Sequence, residues 1–236
     1  MSIETIFDTM DYGTAPEDRS AALQWITDHG GIAGPYINGK WGPFRDDLSV
    51  FNPATGHKLA GMTLSTVKEV TDAVLAARAA QPKWEALGGP GRARVLYAIA
   101  RLMQKHARLL SVMESLDNGK PIRESRDIDI PLAIRHFYHH AGHAQLMQTA
   151  LPERIALGVC GQIIPWNFPL LMLAWKIAPA LAMGNTVVLK PAEYTPMTAM
   201  LFADICAQAG VPPGVVNIVT GAVSYTHLTL PTNDLV

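Results

Sequence analysis

The chain has 236 residues, of which 49% are hydrophobic and 17% are charged, so it can bury a core and is not disordered throughout. Its 19 Lys and Arg residues against 20 Asp and Glu residues leave a net charge of −1, which provides no basic surface for nucleic acid or for an anionic membrane. The two cysteines, Cys160 and Cys206, cannot form a disulfide framework for a chain of this size. We therefore expect a globular protein of a reducing, cytoplasmic compartment.

The sequence predicts neither an export signal nor a membrane span. Its N-terminus carries acidic residues where a signal peptide needs basic ones. The most apolar segment, residues 168–189, is interrupted by Lys176, Pro179 and Asn185, which a transmembrane helix would not tolerate together.

Residues 1–34 are interpreted as an N-terminal extension, because they mix acidic and small residues with several glycines. A helix is expected there only around residues 19–29. Two strand-like segments follow at residues 36–41 and 48–51, and turn residues bound each of them.

Three helices are predicted in the next hundred residues. The first begins at Thr66, because Thr66 and Glu69 have the spacing of a capping box. Its predicted apolar face consists of Val67, Val70, Val74 and Ala77. The second helix covers residues 92–116 and stops at the Asn-Gly pair 118–119, and the third covers residues 129–147.

Four of the eight histidines lie on the third predicted helix: His136, His139, His140 and His143. They form two pairs at four-residue spacing, and each pair could share a metal ion. No glutamate stands between the members of a pair as in His-Glu-x-x-His, and no run of carboxylates lies nearby. Ordinary packing or surface histidines are the preferred interpretation, and no metal site is predicted.

From residue 155 onward, the pattern alternates between strand and helix. The predicted elements are buried strands at residues 155–164, 186–189 and 215–219 and helices at residues 169–183 and 195–210. Thr195 is expected to cap the second of these helices, with Pro196 at its first position. Strands and helices in this order are typical of an α/β fold with a doubly wound parallel sheet, which is a common nucleotide-binding platform.

The turn after the first of these strands contains Pro165, Trp166, Asn167, Phe168 and Pro169, at the strand end where ligands bind. The dinucleotide fingerprint Gly-x-Gly-x-x-Gly is absent from this turn. The Asn167 amide can donate two hydrogen bonds without changing its protonation state, which suits the stabilisation of an oxyanion. On these residues alone, the alternative is that Asn167 bonds the turn backbone and that its aromatic neighbours belong to the core.

The second strand ends at Lys190, and Glu193 follows three residues later. An ammonium group donates hydrogen bonds and a carboxylate accepts them, so the pair could bind the hydroxyls of a ribose. The carboxylate would repel a 2′-phosphate and favour NAD over NADP. A solvated loop pair is an equal alternative on these residues alone.

Residues 161–169, GQIIPWNFP, and 184–193, GNTVVLKPAE, closely resemble segments of the aldehyde dehydrogenase superfamily. Further segments extend the resemblance from Pro35 to Gly221 in the order of the family: YINGKW (36–41), NPATG (52–56), DNGKP (117–121) and GVPPGVVN (210–217). The resemblance implies an aldehyde dehydrogenase-like α/β fold over residues 35–221, with N-terminal helices and an incomplete, Rossmann-type parallel sheet.

The resemblance also implies a reaction and a role for each site residue. The family oxidises aldehydes through a cysteine thiohemiacetal, hydride transfer to nicotinamide and hydrolysis of a thioester. Asn167 falls on the oxyanion position, and Lys190 and Glu193 fall on the adenosine ribose of NAD, with NADP as the alternative cofactor. Further positions line the dinucleotide cleft: Ile163, Ile164, Pro165 and Trp166. Phe168, Met172 and Trp175 line the aldehyde entrance, and core packing is the competing interpretation for them.

The chain departs from the family pattern in three places. The family's second half carries a Gly-rich cofactor segment, a general-base Glu and the nucleophilic Cys, and neither Cys160 nor Cys206 falls on that position. We expect both cysteines to be buried and this sequence to be a truncated N-terminal half that is inactive alone. Residues 222–236 follow no family segment and are interpreted as translated adapter or frameshifted DNA. The segment 142–154 is shorter than the family hairpin used in oligomers, so the homo-oligomer expected for the full-length parent is left open for this chain.

Three functions stay open on the sequence. The favoured one is NAD(P)-dependent oxidation of a small-molecule aldehyde by the full-length parent, to which this chain supplies the cofactor-binding half and the oxyanion Asn. The second is a non-catalytic fragment that binds a nucleotide or a partner. The third keeps the fold and the cysteine chemistry but reduces an acyl phosphate or an acyl-CoA.

Overall fold

The computed structural model describes residues 17–222. The start of the proposed extension, residues 1–16, and nearly all of the proposed tail, residues 223–236, lie outside this range. The helices are α1 (Ser20–Asp28), α2 (Val67–Ala86), α3 (Gly88–Lys105), α4 (Ala107–Asn118), α5 (Ile122–Glu124), α6 (Ile130–Ala150), α7 (Pro169–Ala182) and α8 (Met197–Gln208), and a π-helical turn (Ser125–Asp129) joins α5 to α6. The strands are β1 (Ile32–Ala33), β2 (Tyr36–Ile37), β3 (Lys40–Trp41), β4 (Leu48–Phe51), β5 (Lys58–Met62), β6 (Val159–Ile163), β7 (Thr186–Lys190) and β8 (Val216–Ile218).

The larger sheet has five strands in the order β3-β2-β8-β7-β6. Strands β6, β7 and β8 are parallel, with Ile163 opposite Lys190 and Leu189 opposite Ile218. Strand β2 joins β8 and β3 in antiparallel pairs. A second sheet has three strands in the order β1-β5-β4. The predicted α/β fold with a parallel sheet is confirmed.

Helices cover both faces of the parallel strands. Val187 and Leu189 of β7 belong to the main core, which contains the apolar faces of α7 and α8. Val188, between them, packs instead with Ala73 and Ala77 of α2. This alternation follows from the two-residue period of a strand, and it places β7 between two helical layers as in a Rossmann-type fold.

Helix α2 begins where its capping box predicts. The Thr66 hydroxyl accepts a hydrogen bond of 3.2 Å from the Glu69 backbone N–H, and the Glu69 carboxylate accepts one of 2.7 Å from the Thr66 N–H. The predicted apolar face is wrong at its first member, because Val67 is exposed. The face that packs on the sheet starts one turn later, at Val70, and its buried centre is Ala73 and Ala77.

The single helix predicted over residues 92–116 is two helices, α3 and α4, which meet at His106. The His106 backbone, with φ −98° and ψ 15°, leaves the helical conformation and redirects the chain. The apolar spacing continues on both sides of this kink, so the sequence pattern carries no mark of it. The predicted stop is confirmed, since Gly119 follows α4 in the left-handed conformation with φ 84°.

The first predicted strand is shorter and less buried than expected. Strand β6 begins at Val159, and the apolar side chains of Ile155 and Leu157 before it are 84% and 91% exposed. The prediction of a buried strand over residues 155–164 is therefore wrong. The physical reason is that, within residues 17–222, β6 pairs with β7 alone and forms one edge of the sheet, whereas the interior strand β7 is buried throughout.

Two further expectations concern the cysteines and the membrane. Cys206 in α8 is buried as predicted, whereas Cys160 in β6 is only partly buried because it lies on the edge strand. Within residues 17–222, no helix combines the length and the apolar character needed to cross a membrane.

Candidate functional site

The carboxyl ends of β6, β7 and β8 lie at one edge of the sheet, because the three strands are parallel and in register. Three connections start there: residues 164–168 after β6, residues 191–196 after β7 and residues 219–222 after β8. Ligands of doubly wound sheets bind at such an edge. All the site residues predicted before α7, together with Lys190 and Glu193, lie on these strand ends or in these connections.

Asn167 lies in the connection from β6 to α7, and its side chain is exposed. Its amide makes no hydrogen bond to any part of the chain that the structure describes. The competing interpretation, in which this amide forms a hydrogen bond with the turn backbone, is therefore wrong. Two donor N–H groups are left available at the strand end.

The neighbouring predicted cleft residues differ in exposure. Ile163, Pro165 and Trp166 are exposed around Asn167, and their apolar surfaces border the same edge. Ile164 is buried beneath them, and its backbone N–H donates a hydrogen bond of 3.2 Å to the Lys190 carbonyl oxygen. Ile164 thus ties the connection to β7 and does not face the solvent.

The Asn167 connection is held by the turn that follows α4. The Asn118 amide nitrogen Nδ2 donates a hydrogen bond of 2.6 Å to the backbone oxygen of Trp166. The Lys120 ammonium lies 3.4 Å from the centre of the Phe168 ring and also pairs with Asp129 at 2.5 Å. No site role was predicted for Asn118 or Lys120, because the Asn-Gly pair there was interpreted as a helix stop.

Lys190 and Glu193 form a largely buried pair at the end of β7, with exposed fractions of 9% and 8%. Their charged atoms lie 3.8 Å apart. Lys190 also donates hydrogen bonds to the carbonyl oxygens of Pro191, at 3.0 Å, and Gly221, at 2.8 Å. Burial lowers the pKa of Lys190, and the neighbouring Glu193 carboxylate opposes that change. The alternative of a solvated loop pair is wrong for both side chains.

The three residues predicted to line an aldehyde entrance follow the start of α7. Phe168 precedes the helix and is partly buried under Lys120, and Met172 is partly buried against the main core. Trp175, one turn further along, is half-exposed, and its ring meets His136 edge-on at a centroid distance of 5.6 Å. These three side chains therefore extend from the Asn167 connection towards His136 on α6.

Two buried carboxyl groups of α4 bind the starts of the two helices that flank this edge. Glu114 accepts a hydrogen bond of 3.3 Å from the Leu170 N–H of α7, and Asp117 accepts one of 2.8 Å from the Met197 N–H of α8. Burial raises the pKa of Glu114 to about 7 and also raises the pKa of Asp117. Neither residue was identified from the sequence as part of this region.

The four histidines of α6 contact one another along one side of the helix. The closest pair of rings, His139 and His143, has a centroid distance of 4.2 Å. Burial, reinforced by neighbouring histidines, lowers the pKa of His136 and His140 and favours their neutral forms. In residues 17–222, no group of three or more His, Cys, Asp or Glu side chains is arranged to hold a metal ion.

The parallel sheet defines an α/β protein, and the polar groups at its strand ends form a candidate ligand site at that edge. The sequence model of the aldehyde dehydrogenase family matches residues 42–235. The chain is 42% identical over 207 residues to an aldehyde dehydrogenase of Agaricus bisporus, covering 82% of this chain and 41% of that one. It is 42% identical over 198 residues to acetaldehyde dehydrogenase 2 of Cupriavidus necator, covering 79% and 39%. The chain therefore belongs to the aldehyde dehydrogenase family, and the resemblance deduced from its motifs is confirmed.

Solved structures agree with this assignment. The NAD+ complex of an aldehyde dehydrogenase from Bacillus cereus superposes with a TM-score of 0.80 at 33% identity, and the match covers 93% of this chain and 46% of that one. The chain spans about 40% of the length of the curated relatives it matches. The family match ends at residue 235, whereas the resemblance deduced from the motifs ends at Gly221.

Proposed function

We propose that this chain is the cofactor-binding part of an NAD(P)-dependent aldehyde dehydrogenase, and that the longer enzyme oxidises a small-molecule aldehyde to a carboxylic acid. One observation carries the proposal. The Asn167 amide is exposed at the strand edge without a partner among the described residues, next to the strand that ends in Lys190 and Glu193. The relatives named aldehyde dehydrogenases and the solved NAD+ complex support it.

The donor set at the end of β7 fits a dinucleotide. Ribose hydroxyls both donate and accept hydrogen bonds, and the Lys190 ammonium and the Glu193 carboxylate, 3.8 Å apart, offer both functions. The Glu193 charge disfavours a 2′-phosphate, so NAD is the preferred cofactor and NADP the alternative. The exposed apolar surfaces of Ile163 and Trp166 can pack against the aromatic rings of such a ligand. The bound nicotinamide would accept a hydride from the substrate.

Asn167 supplies electrostatic stabilisation in this proposal. Its N–H groups donate to the aldehyde oxygen as that oxygen gains negative charge, and the donor stays neutral at every working pH. Phe168, Met172 and Trp175 provide apolar contacts for the rest of the aldehyde. Burial raises the thiol pKa of both Cys160 and Cys206, so neither has the character of an activated nucleophile. The nucleophile therefore belongs to a part of the enzyme outside this chain.

The test is the binding of NAD+ to the 236-residue chain by isothermal titration calorimetry, with NADP+ as the comparison. We expect NAD+ to bind more tightly than NADP+. We also expect Ile163→Glu to weaken NAD+ binding, because it replaces exposed apolar surface of the predicted dinucleotide cleft with a negative charge that repels the anionic ligand. Leu157→Glu is the matched control, since it adds the same charge at an exposed position just before the same strand. Absence of NAD+ binding by the folded chain, or an equal effect of both variants, would contradict the proposal.

A second measurement addresses the missing nucleophile. We expect the chain to produce no NADH from NAD+ and acetaldehyde, because neither of its cysteines is activated. Aldehyde-dependent NADH formation that is abolished when Cys160 or Cys206 is replaced by serine would overturn the placement of the nucleophile outside this chain.

The domain limits belong to the same proposal: an N-terminal extension over residues 1–34, the family domain over residues 35–221 and a tail of separate origin over residues 222–236. The motif resemblance ends at Gly221, which supports the tail assignment, whereas the family model continues to match as far as residue 235, which argues against it. Sequencing of the source DNA through and beyond codon 221 tests it. A frame that continues into a Gly-rich segment, a Glu and a Cys would support the assignment, and a genuine stop after codon 236 would contradict it.

A further inference from the structure

We propose that Asn118 and Lys120 are positioning residues, which fix the orientation of the Asn167 connection from the turn after α4. The inference rests on the proposed function of Asn167 as the oxyanion donor. Asn167 makes no hydrogen bond of its own within residues 17–222, whereas the residues on both sides of it are held. Its orientation therefore depends on those two neighbours.

Asn118 acts on the peptide that leads into Asn167. Its Nδ2 donates to the backbone oxygen of Trp166 at 2.6 Å, across 48 residues of sequence. The carbonyl of Trp166 and the N–H of Asn167 belong to the same planar peptide unit. Holding the oxygen therefore fixes the direction of the Asn167 backbone N–H and restricts the position of its side chain.

Lys120 acts on the residue after Asn167. Its ammonium lies 3.4 Å from the centre of the Phe168 ring, which is a close cation–π contact. The same ammonium pairs at 2.5 Å with the buried Asp129 carboxylate, so the cation has a fixed partner on its other side. The Phe168 carbonyl accepts a hydrogen bond of 2.8 Å from Met172 and starts α7, so the ring is held at the junction of connection and helix.

Gly119 allows both Asn118 and Lys120 to contact the Asn167 connection. It has φ 84°, a conformation that side-chain-bearing residues rarely adopt, and an added Cβ would lie 2.7 Å from Pro53 Cγ. The sharp turn ends α4 and lets the residues on either side of Gly119 contact the same connection. The turn and the connection thus form one structural unit, although they are distant in sequence.

The test is amide hydrogen–deuterium exchange of the full 236-residue chain, followed in peptides that cover residues 164–170. We expect Asn118→Ala and Lys120→Met each to raise the exchange rate of the Ile164 and Leu170 amides about tenfold. These amides donate hydrogen bonds to Lys190 and Glu114, and local opening of the connection becomes easier when a tertiary contact is lost. We expect Lys120→Arg to restore slow exchange, since a guanidinium keeps both the aromatic contact and the ion pair. Gln81→Ala and Lys68→Met, on the exposed side of α2, are the matched controls and should leave the connection unchanged.

Peptides from β7 serve as the internal reference. Faster exchange confined to residues 164–170 supports the positioning role, and equal acceleration in β7 indicates general unfolding and overturns it. Unchanged exchange in both variants overturns it as well. If Asn118→Ala does not fold, Asn118→Leu removes the donor at similar size and replaces it in the comparison. Exchange is measured without NAD+ or aldehyde. Its outcome therefore tests the positioning role alone, whereas the NAD+ titration tests the proposed function.

Discussion

The Asp117 carboxylate accepts a 2.8 Å hydrogen bond from the backbone N–H of Met197, the first residue of α8, across 80 residues of sequence. The first N–H groups of a helix have no partner within the helix, and a buried one is costly to leave unpaired. Asp117 is itself buried at the end of α4. The start of α8 is therefore set by a tertiary contact with α4, which also binds the start of α7 through Glu114.

Loss of the Asp117 contact should destabilise the protein more than loss of the expected local cap. Thr195, which the sequence predicts as the cap of α8, makes no side-chain hydrogen bond with the described part of the chain. We expect Asp117→Ala to lower the free energy of unfolding by about 1–2 kcal/mol, and Thr195→Ala to lower it by less than about 0.5 kcal/mol. Urea unfolding followed by circular dichroism measures both. Equal losses of unfolding free energy in the two variants would show that Thr195 caps α8 in solution.

Glu114 should make stability depend on pH. Burial raises its pKa from 4.5 to about 7, so between these values the folded protein holds a proton that the unfolded chain has lost. The free energy of unfolding should therefore fall as pH rises from about 4.5 to about 7 and stay level above, with a total effect on the order of 3 kcal/mol. Glu114→Gln should remove this part of the pH dependence.

Urea midpoints at pH 5 and pH 8 measure that effect. Glu153→Gln, at an exposed position, is the control for the removal of one carboxylate and should follow the parent chain at both pH values. A Glu114→Gln curve with the same pH dependence as the control would rule out Glu114 as the titrating group.

Features that depend on residues close together in the sequence were predicted correctly. The capping box of Thr66 and Glu69 and the buried strand β7 are confirmed, because residues close in sequence determine them. The Asp117 contact, the kink at His106 and the exposure of Leu157 were missed. Each depends on which distant element lies alongside, and apolar periodicity carries no such information.

The candidate site shows the same division. Asn167, Lys190 and Glu193 were singled out because they follow predicted parallel strands, where ligands bind, and their roles were taken from the resemblance to the aldehyde dehydrogenase family. Asn118 and Lys120 were not, because the Asn-Gly pair after α4 was interpreted as a helix stop and local sequence does not show which distant segment the turn contacts. Only the folded chain places them against Trp166 and Phe168.

Cofactor preference should respond to Glu193. Its carboxylate is expected to repel the 2′-phosphate of NADP+, so Glu193→Gln should shift the ratio of NADP+ to NAD+ affinity towards NADP+ by about tenfold, equivalent to about 1.4 kcal/mol. Calorimetric titration of both cofactors into the folded variant measures the ratio, and Glu153→Gln is again the matched control. An unchanged ratio in a folded Glu193→Gln variant would exclude contact between this carboxylate and the ribose.

Asn167 should affect turnover without affecting cofactor binding. In an enzyme that joins this chain to a C-terminal part carrying the nucleophile, Asn167→Ala should lower kcat by about 10²–10³, because it removes a donor to the developing oxyanion. The affinity for NAD+ should stay within about twofold, since in the described residues the exposed amide makes no hydrogen bond to Lys190 or Glu193, the predicted ribose ligands. Asn167→Asp keeps the size of the side chain but adds a negative charge. Its kcat should be no higher than that of Asn167→Ala, because a carboxylate repels the oxyanion. Gln81→Ala, whose side chain bonds Glu85 on α2, should retain full activity. A kcat that survives Asn167→Ala would remove this residue from the mechanism, and a parallel loss of NAD+ affinity would indicate that Asn167 contributes to cofactor binding.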